Sequence, residues 1–240
     1  MDIILVPGFW LNASAWDAVT PPLVAAGHTV HPLTLPGMGS VDDDRSGIGL
    51  EDHVDAVVAA VDALDDDAQV VLVGHSGGGA VIHAAADRRP GRIARNVYVD
   101  SVPMGHGSVI NDALPVVGHE IPLPDWSVFD EPDLVDLDED LRARFRAVAI
   151  PTPVRVASDP VTLSDDRRYE VPTTVIACEA FEGFDSPSSM YRHFIGAGSP
   201  YTAELAALHD YEIVDLSTGH WPMFTRPGEL GEAITAAVSG

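Results

Sequence analysis

The segment at residues 69–86 constrains the fold of this chain more than any other. It contains a short apolar run at positions 70–73, VVLV, and, after three intervening residues, a stretch rich in Gly and Ala at positions 77–86. An apolar run of this length predicts a β-strand buried on both faces, which is the pattern of a parallel sheet. The small residues that follow predict a helix packed closely on that sheet. The segment therefore indicates an α/β fold.

The same alternation of strands and helices continues along the chain. Short apolar runs predict further strands at residues 2–6, 29–33, 96–100, 173–177 and 212–216. Apolar residues at helical spacing predict helices at residues 15–26, 50–64 and 227–238. We expect Pro21 and Pro22 to split the first of these helices into two turns. The alternation predicts a mostly parallel sheet of about six strands with helices on both faces.

The rhythm stops between residue 101 and about residue 170. This stretch is rich in Pro, Asp and Trp in irregular order, and it contains one predicted helix around residues 138–148. A long insertion in a compact domain is usually functional. We therefore expect a single domain at residues 1–240 with a lid-like insert at about residues 101–170, in which Trp126 and Phe129 are candidate walls of an acyl pocket.

The charge balance excludes several classes of function. Asp and Glu number 37, Lys and Arg number 13, and the formal net charge is −24. Such an acidic chain repels nucleic acids and anionic membrane surfaces, so neither is an expected partner. All the cationic side chains are Arg, which excludes a Schiff-base lysine and a phosphate-loop lysine.

The number of cysteines limits the possible metal sites, and the first residues of the chain indicate the cellular compartment. A single cysteine, Cys178, excludes an intramolecular disulfide and a metal site built from several cysteines. No apolar run reaches the roughly 18 residues of a membrane span, and the first residues lack the basic start of a secretion signal. We expect a cytoplasmic protein that needs neither a metal nor an organic cofactor.

The residues between the central strand and its helix carry the first chemical signal. Residues 74–78, GHSGG, fit the pattern G-x-S-x-G, with a predicted strand before and a predicted helix after. A serine on such a sharp turn has its hydroxyl pushed out of the sheet, and the helix start directs N–H groups toward any oxyanion formed there. Ser76 is therefore the candidate nucleophile.

A serine needs a base before it can act as a nucleophile. The candidate is His220, which lies just after the last predicted strand in residues 217–222, STGHWP. Loops at the carboxyl ends of strands are where sites lie in parallel sheets. A serine early in the chain and a histidine late in it is also the order found in hydrolases with this serine motif.

Together these motifs resemble the α/β-hydrolase family. The resemblance rests on residues 5–10 (LVPGFW), residues 35–39 (LPGMG), the turn at Ser76, Asp100 and His220, and it covers nearly the whole chain except the insert. The chain is similar to the branch of small esterases, plant-type methylesterases and hydroxynitrile lyases. The resemblance implies a fold that lacks the family's first two strands. It further implies that the backbone N–H groups of Phe9 and Gly77 form the oxyanion hole.

The third member of the expected triad is an acid that orients the histidine. Family members often carry it after the strand that precedes the histidine strand, but the usual Asp is missing from that loop here. Asp100 ends the strand at residues 96–100, where a buried carboxylate is costly unless it is paired. We therefore assign Asp100 as the acid. Three other acids remain as alternatives: Glu179, Glu182 and Asp185.

The sequence thus predicts a serine hydrolase that cleaves carboxylic esters of small molecules through an acyl-enzyme. Two alternatives stay open. The first is a lyase or C–C bond hydrolase that uses the same triad, although hydroxynitrile lyases in this branch use a Lys that this chain lacks. The second is a non-catalytic ligand-binding protein of the same fold, since a fold does not fix a function. The sequence does not indicate an oligomeric state.

Overall fold

The computed structural model describes residues 1–239. The strands, in chain order, are β1 (Asp2–Val6), β2 (Thr29–Pro32), β3 (Val70–His75), β4 (Ile93–Val99), β5 (Glu120–Ile121), β6 (Thr152–Pro153), β7 (Thr173–Ala177) and β8 (Tyr211–Asp215). Six of these strands form one sheet in the order β2-β1-β3-β4-β7-β8. All neighbouring pairs in it are parallel, so the predicted parallel sheet is confirmed.

Helices alternate with the strands as the sequence predicts. The α-helices, in chain order, are α1 (Thr20–Ala25), α2 (Leu50–Asp62), α3 (Gly77–Arg88), α4 (Glu139–Val148), α5 (Val154–Ser158), α6 (Pro187–Gly196), α7 (Ala203–Ala207), α8 (Pro222–Thr225) and α9 (Pro227–Ser239). The predicted stretch 15–26 does divide in two, but the break precedes the prolines. Pro21 and Pro22 lie in the first turn of α1, where the missing N–H has no partner to lose.

The core lies on both faces of the sheet. Along β1, Ile4 and Val6 pack into the cluster formed with α2 and α3, whereas Ile3 and Leu5 pack into the cluster formed with α1 and α9. Alternate residues of a strand point to opposite faces, so both sets of side chains are fully buried. This burial explains why the central strands consist of continuous apolar residues.

The insert lies between β4 and β7. Its α4 begins after Asp138, whose carboxylate accepts a hydrogen bond from the N–H of Leu141, and Phe145 anchors that helix in the core. The strands β5 and β6 pair antiparallel in a small second sheet. The insert reaches the last loop of the main sheet, because the backbone carbonyl of Asp133 accepts a hydrogen bond from the N–H of His220 at 2.9 Å. Its assignment as a lid remains a prediction.

A helix that crosses a bilayer needs roughly 20 consecutive, mostly apolar residues. Within residues 1–239, no helix combines such a length with such an apolar character.

Candidate active site

Five loops meet at one edge of the main sheet. They follow β1, β3, β4, β7 and β8, and they carry Phe9, Ser76, Asp100, Glu179 and His220, respectively. The carboxyl ends of parallel strands lie at the same edge of a sheet, so residues far apart in the sequence converge there. The topology thus accounts for the position of the site.

Ser76 occupies the turn between β3 and α3. Its φ of 51° and ψ of −125° lie in a region that residues other than glycine rarely adopt. The surrounding backbone holds this conformation, since the N–H of Ser76 donates a hydrogen bond to the carbonyl of Val99 at 3.1 Å. The turn directs the side chain away from the sheet and toward the loop that carries His220.

The turn depends on the absence of a side chain at Gly74. A Cβ there would lie 2.6 Å from the backbone oxygen of Gly78 and 2.9 Å from the nitrogen of Gly79. Both neighbours are backbone atoms of α3 and cannot rotate away. The close approach of β3 to the start of α3 therefore requires glycine at this position.

We expect Gly74→Ala to destabilise the protein by about 2 kcal/mol through overpacking, which corresponds to a fall in Tm of roughly 5 °C for a chain of this size. Gly91→Ala is the matched control, because a Cβ at Gly91 meets no atom within 4 Å. Thermal unfolding followed by circular dichroism measures both variants. Equal Tm values for the two variants would contradict this account of the turn.

His220 bridges the two other residues of the predicted triad. Its Nε2 lies 2.8 Å from Oγ of Ser76, and its Nδ1 lies 2.6 Å from Oδ2 of Asp100. Asp100 directly follows β4, is almost fully buried and has a φ of 45°. Its other oxygen, Oδ1, accepts hydrogen bonds from the N–H groups of Cys178 at 2.8 Å and Glu179 at 3.3 Å. The buried carboxylate is therefore paired on both oxygens.

The electrostatics of this pair favour the charged forms. Burial raises the pKa of Asp100, but the hydrogen bond and the charge of His220 together lower it by more than burial raises it. The pKa of Asp100 therefore lies below its ordinary value. Burial lowers the pKa of His220, but the charge of Glu179 and the hydrogen bond with Asp100 raise it well above its ordinary value. An ionised carboxylate in this position can orient the imidazole and stabilise an imidazolium.

A second carboxyl group contacts the same nitrogen of the imidazole. Oε1 of Glu179 lies 3.0 Å from Nδ1 of His220. Nδ1 carries at most one proton, and its shorter contact is with Asp100. Burial and the charge of Asp100 raise the pKa of Glu179 to about 8. The other two alternative acids, Glu182 and Asp185, are exposed and form no ion pair with His220 in residues 1–239.

His75, the residue before Ser76, is hydrogen-bonded to the loop that carries His220. It is fully buried, and its Nε2 donates a hydrogen bond to the backbone carbonyl of His220 at 2.7 Å. Burial, followed by the charge of His220, lowers the pKa of His75 to about 3, so it is neutral at physiological pH. A neutral imidazole with its proton on Nε2 fits this donor role.

A cavity of about 270 Å³ opens in front of Ser76 and His220. Besides Ser76 and His220, three polar residues line it, namely Asn111, Asp133 and Glu179. The rest of the lining is aromatic or apolar: Phe9, Trp10, Leu114, Val128, Phe129 and Trp221. Phe129 thus lines the cavity as expected. Trp126 does not line the cavity. It packs against Phe129, with the two ring centroids 5.7 Å apart.

The two residues that carry the predicted oxyanion donors are in contact. The ring of Phe9 lies against Gly77, where an added Cβ would come within 2.6 Å of a ring carbon. Within residues 1–239, no backbone or side-chain acceptor pairs with the N–H of Phe9 or of Gly77. Both groups can therefore donate to a ligand.

Comparison with known proteins places the chain in a family. The sequence profile of the alpha/beta hydrolase family matches residues 3–233. The chain belongs to this family. Over its full length this alpha/beta hydrolase also shares the fold of an extracellular alpha/beta-hydrolase from a Paenibacillus species, with a TM-score of 0.76, 21% sequence identity, and coverage of 99% of this chain and 98% of that chain.

Curated relatives match a shorter part of the sequence. Methylesterase 8 of Arabidopsis thaliana is 38% identical over 101 residues, which are 41% of this chain and 36% of the relative. A carbendazim-hydrolyzing esterase of Nocardioides sp. is 35% identical over 117 residues, which are 48% of this chain and 47% of the relative. The chain thus spans less than half the length of these curated relatives.

One group of possible metal ligands occurs in residues 1–239 of this alpha/beta hydrolase, and it is the group already described. Ligand atoms of Asp100, Glu179 and His220 lie within 4.8 Å of one another. A cation there would displace the Nδ1 proton that joins His220 to Asp100. Metal binding would therefore compete with the orientation of His220 toward Ser76.

Two polar residues of the cavity were not found from the sequence. Asn111 and Asp133 come from irregular stretches of the insert, and both line the cavity. Neither lies in a motif, and no strand or helix period places them. The sequence identified Glu179 only as one of several candidate acids in the loop after β7, and it did not place Glu179 beside His220.

We expect Glu179→Gln to shift the ascending limb of the pH profile of kcat/KM to lower pH and to retain most of the activity. Glu179 is ionised above its pKa of about 8, and its charge there raises the pKa of His220 well above the ordinary value. A neutral amide removes that charge, so it lowers the pKa of His220 and leaves the base unprotonated at lower pH. Ester hydrolysis measured from acid to mildly alkaline pH tests this. The control is Glu182→Gln, which alters an exposed acid of the same loop. An ascending limb that stays in place or moves to higher pH would contradict the expectation.

Proposed function

We propose that this protein is a serine hydrolase that cleaves carboxylic esters of small molecules. The observation that carries the proposal is the bridging position of His220, 2.8 Å from Oγ of Ser76 and 2.6 Å from Oδ2 of Asp100. In this assignment Ser76 is the nucleophile, His220 is the general base and Asp100 orients the imidazole. The N–H groups of Phe9 and Gly77 bind the oxyanion.

The first half of the reaction forms an acyl-enzyme. Oγ of Ser76 attacks the ester carbonyl carbon while Nε2 of His220 takes the hydroxyl proton. The carbonyl oxygen becomes an oxyanion, which the N–H groups of Phe9 and Gly77 stabilise; each such donor contributes roughly 3 kcal/mol. The intermediate then collapses, the C–O bond to the alcohol breaks, and Nε2 returns the proton to the departing alcohol.

The second half releases the acid. Water loses a proton to Nε2 of His220 and attacks the acyl carbon, which again forms an oxyanion at Phe9 and Gly77. Collapse breaks the bond to Oγ of Ser76, and Nε2 returns the proton to the serine. The buried, ionised Asp100 stabilises the imidazolium in both halves.

The cavity and the relatives support the choice of small esters. Its volume of about 270 Å³ lies near the lower end of ligand sites. The aromatic lining offers apolar contact to an acyl or alcohol group. Relatives with related sequences are named as a methylesterase and as a carbendazim-hydrolyzing esterase. The insert contributes Leu114 and Phe129 to the lining, in keeping with the proposed lid at about residues 101–170.

The experiment that tests this function is a substrate panel with purified protein. We expect turnover of short p-nitrophenyl and methyl esters, weaker turnover of the matching amides, and no cleavage of cyanohydrins. Cyanohydrin cleavage without esterase activity would identify a lyase instead. Tight binding of a small ligand without turnover of any ester would identify a binding protein.

A further inference from the structure

Trp10, which follows the proposed oxyanion donor Phe9, has a strained backbone. Its φ is 64°, in the left-handed region that residues other than glycine rarely occupy. The residue is also almost fully buried, with 5% of its surface exposed. A conformation of this kind costs about 1–3 kcal/mol and persists only where the surroundings impose it.

The surroundings that impose it belong to the insert. The backbone N–H of Trp10 donates to Oγ1 of Thr152 at 2.9 Å, and its indole Nε1–H donates to the carbonyl of Ile121 at 3.1 Å. The carbonyl of Trp10 accepts a hydrogen bond from the N–H of Ile150 at 2.9 Å. All three polar groups of Trp10 are thus held by β5, β6 and the residues just before β6.

The other end of the same loop is held by the serine turn. A Cβ at Gly8 would lie 2.7 Å from Nδ1 of His75 and 2.9 Å from Cβ of Ser76. The loop at residues 7–10, which we call the oxyanion loop, is therefore fixed at Gly8 by the serine turn and at Trp10 by the insert. Phe9 lies between these two fixed points, so the direction of its N–H depends on both.

We propose that the small sheet of the insert holds the oxyanion loop in its donating conformation through Trp10, and that Thr152 is a positioning residue for the reaction. This inference rests on the proposed ester hydrolysis. Thr152 is buried and does not line the cavity in front of Ser76, so it acts through the loop rather than on the substrate. The insert therefore has a role in transition-state stabilisation in addition to its proposed role as a lid.

Substitutions at Thr152 test the inference because they can remove one hydroxyl and little else. Thr152→Val keeps the shape but removes the acceptor of the Trp10 N–H. A displaced oxyanion donor weakens binding of the transition state more than binding of the substrate. We expect kcat to fall by about tenfold or more, KM to stay within about twofold, and Thr152→Ser to restore kcat.

A tetrahedral-adduct inhibitor gives a readout that lost stability alone would not move. A trifluoromethyl ketone forms a hemiketal whose oxyanion occupies the oxyanion hole, so its Ki should rise in Thr152→Val in parallel with the loss of kcat. Thr173→Val is the matched control, because it also removes a buried hydroxyl. Thr173 is the first residue of β7, and its hydroxyl donates a hydrogen bond to the carbonyl of Val171. This control should lose stability without a change in kcat or Ki.

The inference is overturned if Thr152→Val keeps the wild-type kcat and Ki, or if Thr152→Ser loses as much kcat as Thr152→Val. If Thr152→Val does not fold, Thr152→Ser and Thr152→Ala, which differ by one hydroxyl, give the same comparison. An inert Ser76→Ala together with an unaffected Thr152→Val would overturn only this inference. An active Ser76→Ala would overturn the proposed function itself.

Discussion

We expect Ser76→Ala to lower kcat for ester hydrolysis by about 10⁵-fold or more, with little change in the free energy of unfolding. Loss of the nucleophile from a Ser-His-Asp site leaves only the residual catalysis of the oxyanion hole and binding. The methyl group of alanine fits in place of the hydroxymethyl group, because the turn depends on backbone contacts such as the one from the N–H of Ser76 to Val99. Initial rates with a p-nitrophenyl ester measure the effect.

Ser101→Ala is the control for that substitution. Ser101 follows Asp100 at the same edge of the sheet, and its side chain packs against α3 rather than against His220. Its loss should leave kcat within a few-fold of wild type. A Ser76→Ala variant that still turns over the ester at a rate near that of Ser101→Ala would show that Ser76 is not the nucleophile.

The second large effect is expected at the acid. Asp100→Asn should lower kcat by about 10³- to 10⁴-fold. The backbone N–H groups of Cys178 and Glu179 donate to Oδ1, so an asparagine would place its carbonyl oxygen there and turn its NH₂ toward His220. An NH₂ group facing Nδ1 favours the tautomer that carries the imidazole proton on Nε2, and this tautomer has no base facing Ser76.

The matched variant is Glu179→Gln, since Glu179 contacts the same nitrogen at 3.0 Å. It should keep kcat within about tenfold at the pH optimum, because Asp100 still accepts the Nδ1 proton. The two variants are compared by kcat at their own optima and by the pKa of the ascending limb. A thousand-fold loss in Glu179→Gln together with a small loss in Asp100→Asn would assign the orienting acid to Glu179.

The inner strands β1, β3 and β7 could be predicted from the sequence because each contains a short apolar run, and burial on both faces leaves little room for another interpretation. The edge strands β2 and β8 are only partly buried, and they were predictable mainly from their place in the alternation of strands and helices. Parallel strands also place their carboxyl ends together, so Ser76 and His220 could be paired although 144 residues separate them. Asp100 could be singled out because a carboxylate at the end of a buried strand requires a partner.

The insert could be predicted only at α4, where a capping Asp138 and the apolar Leu141 and Phe145 give a helical pattern. Strands β5 and β6 have two residues each, which is too short for an alternating pattern. The hydrogen bond between Trp10 and Thr152 spans 142 residues, and no local signal relates these two positions. The strained backbone of Trp10 likewise follows from tertiary contacts rather than from its sequence neighbours.

The most direct test of the central claim is covalent labelling of the purified protein with a fluorophosphonate, followed by peptide mass spectrometry. A fluorophosphonate reacts with a serine only where a base and an oxyanion hole activate it. The account predicts one adduct per chain, on Ser76, with labelling lost in Ser76→Ala and strongly slowed in Asp100→Asn. An adduct on another residue, or no labelling of a folded and soluble protein, would contradict it.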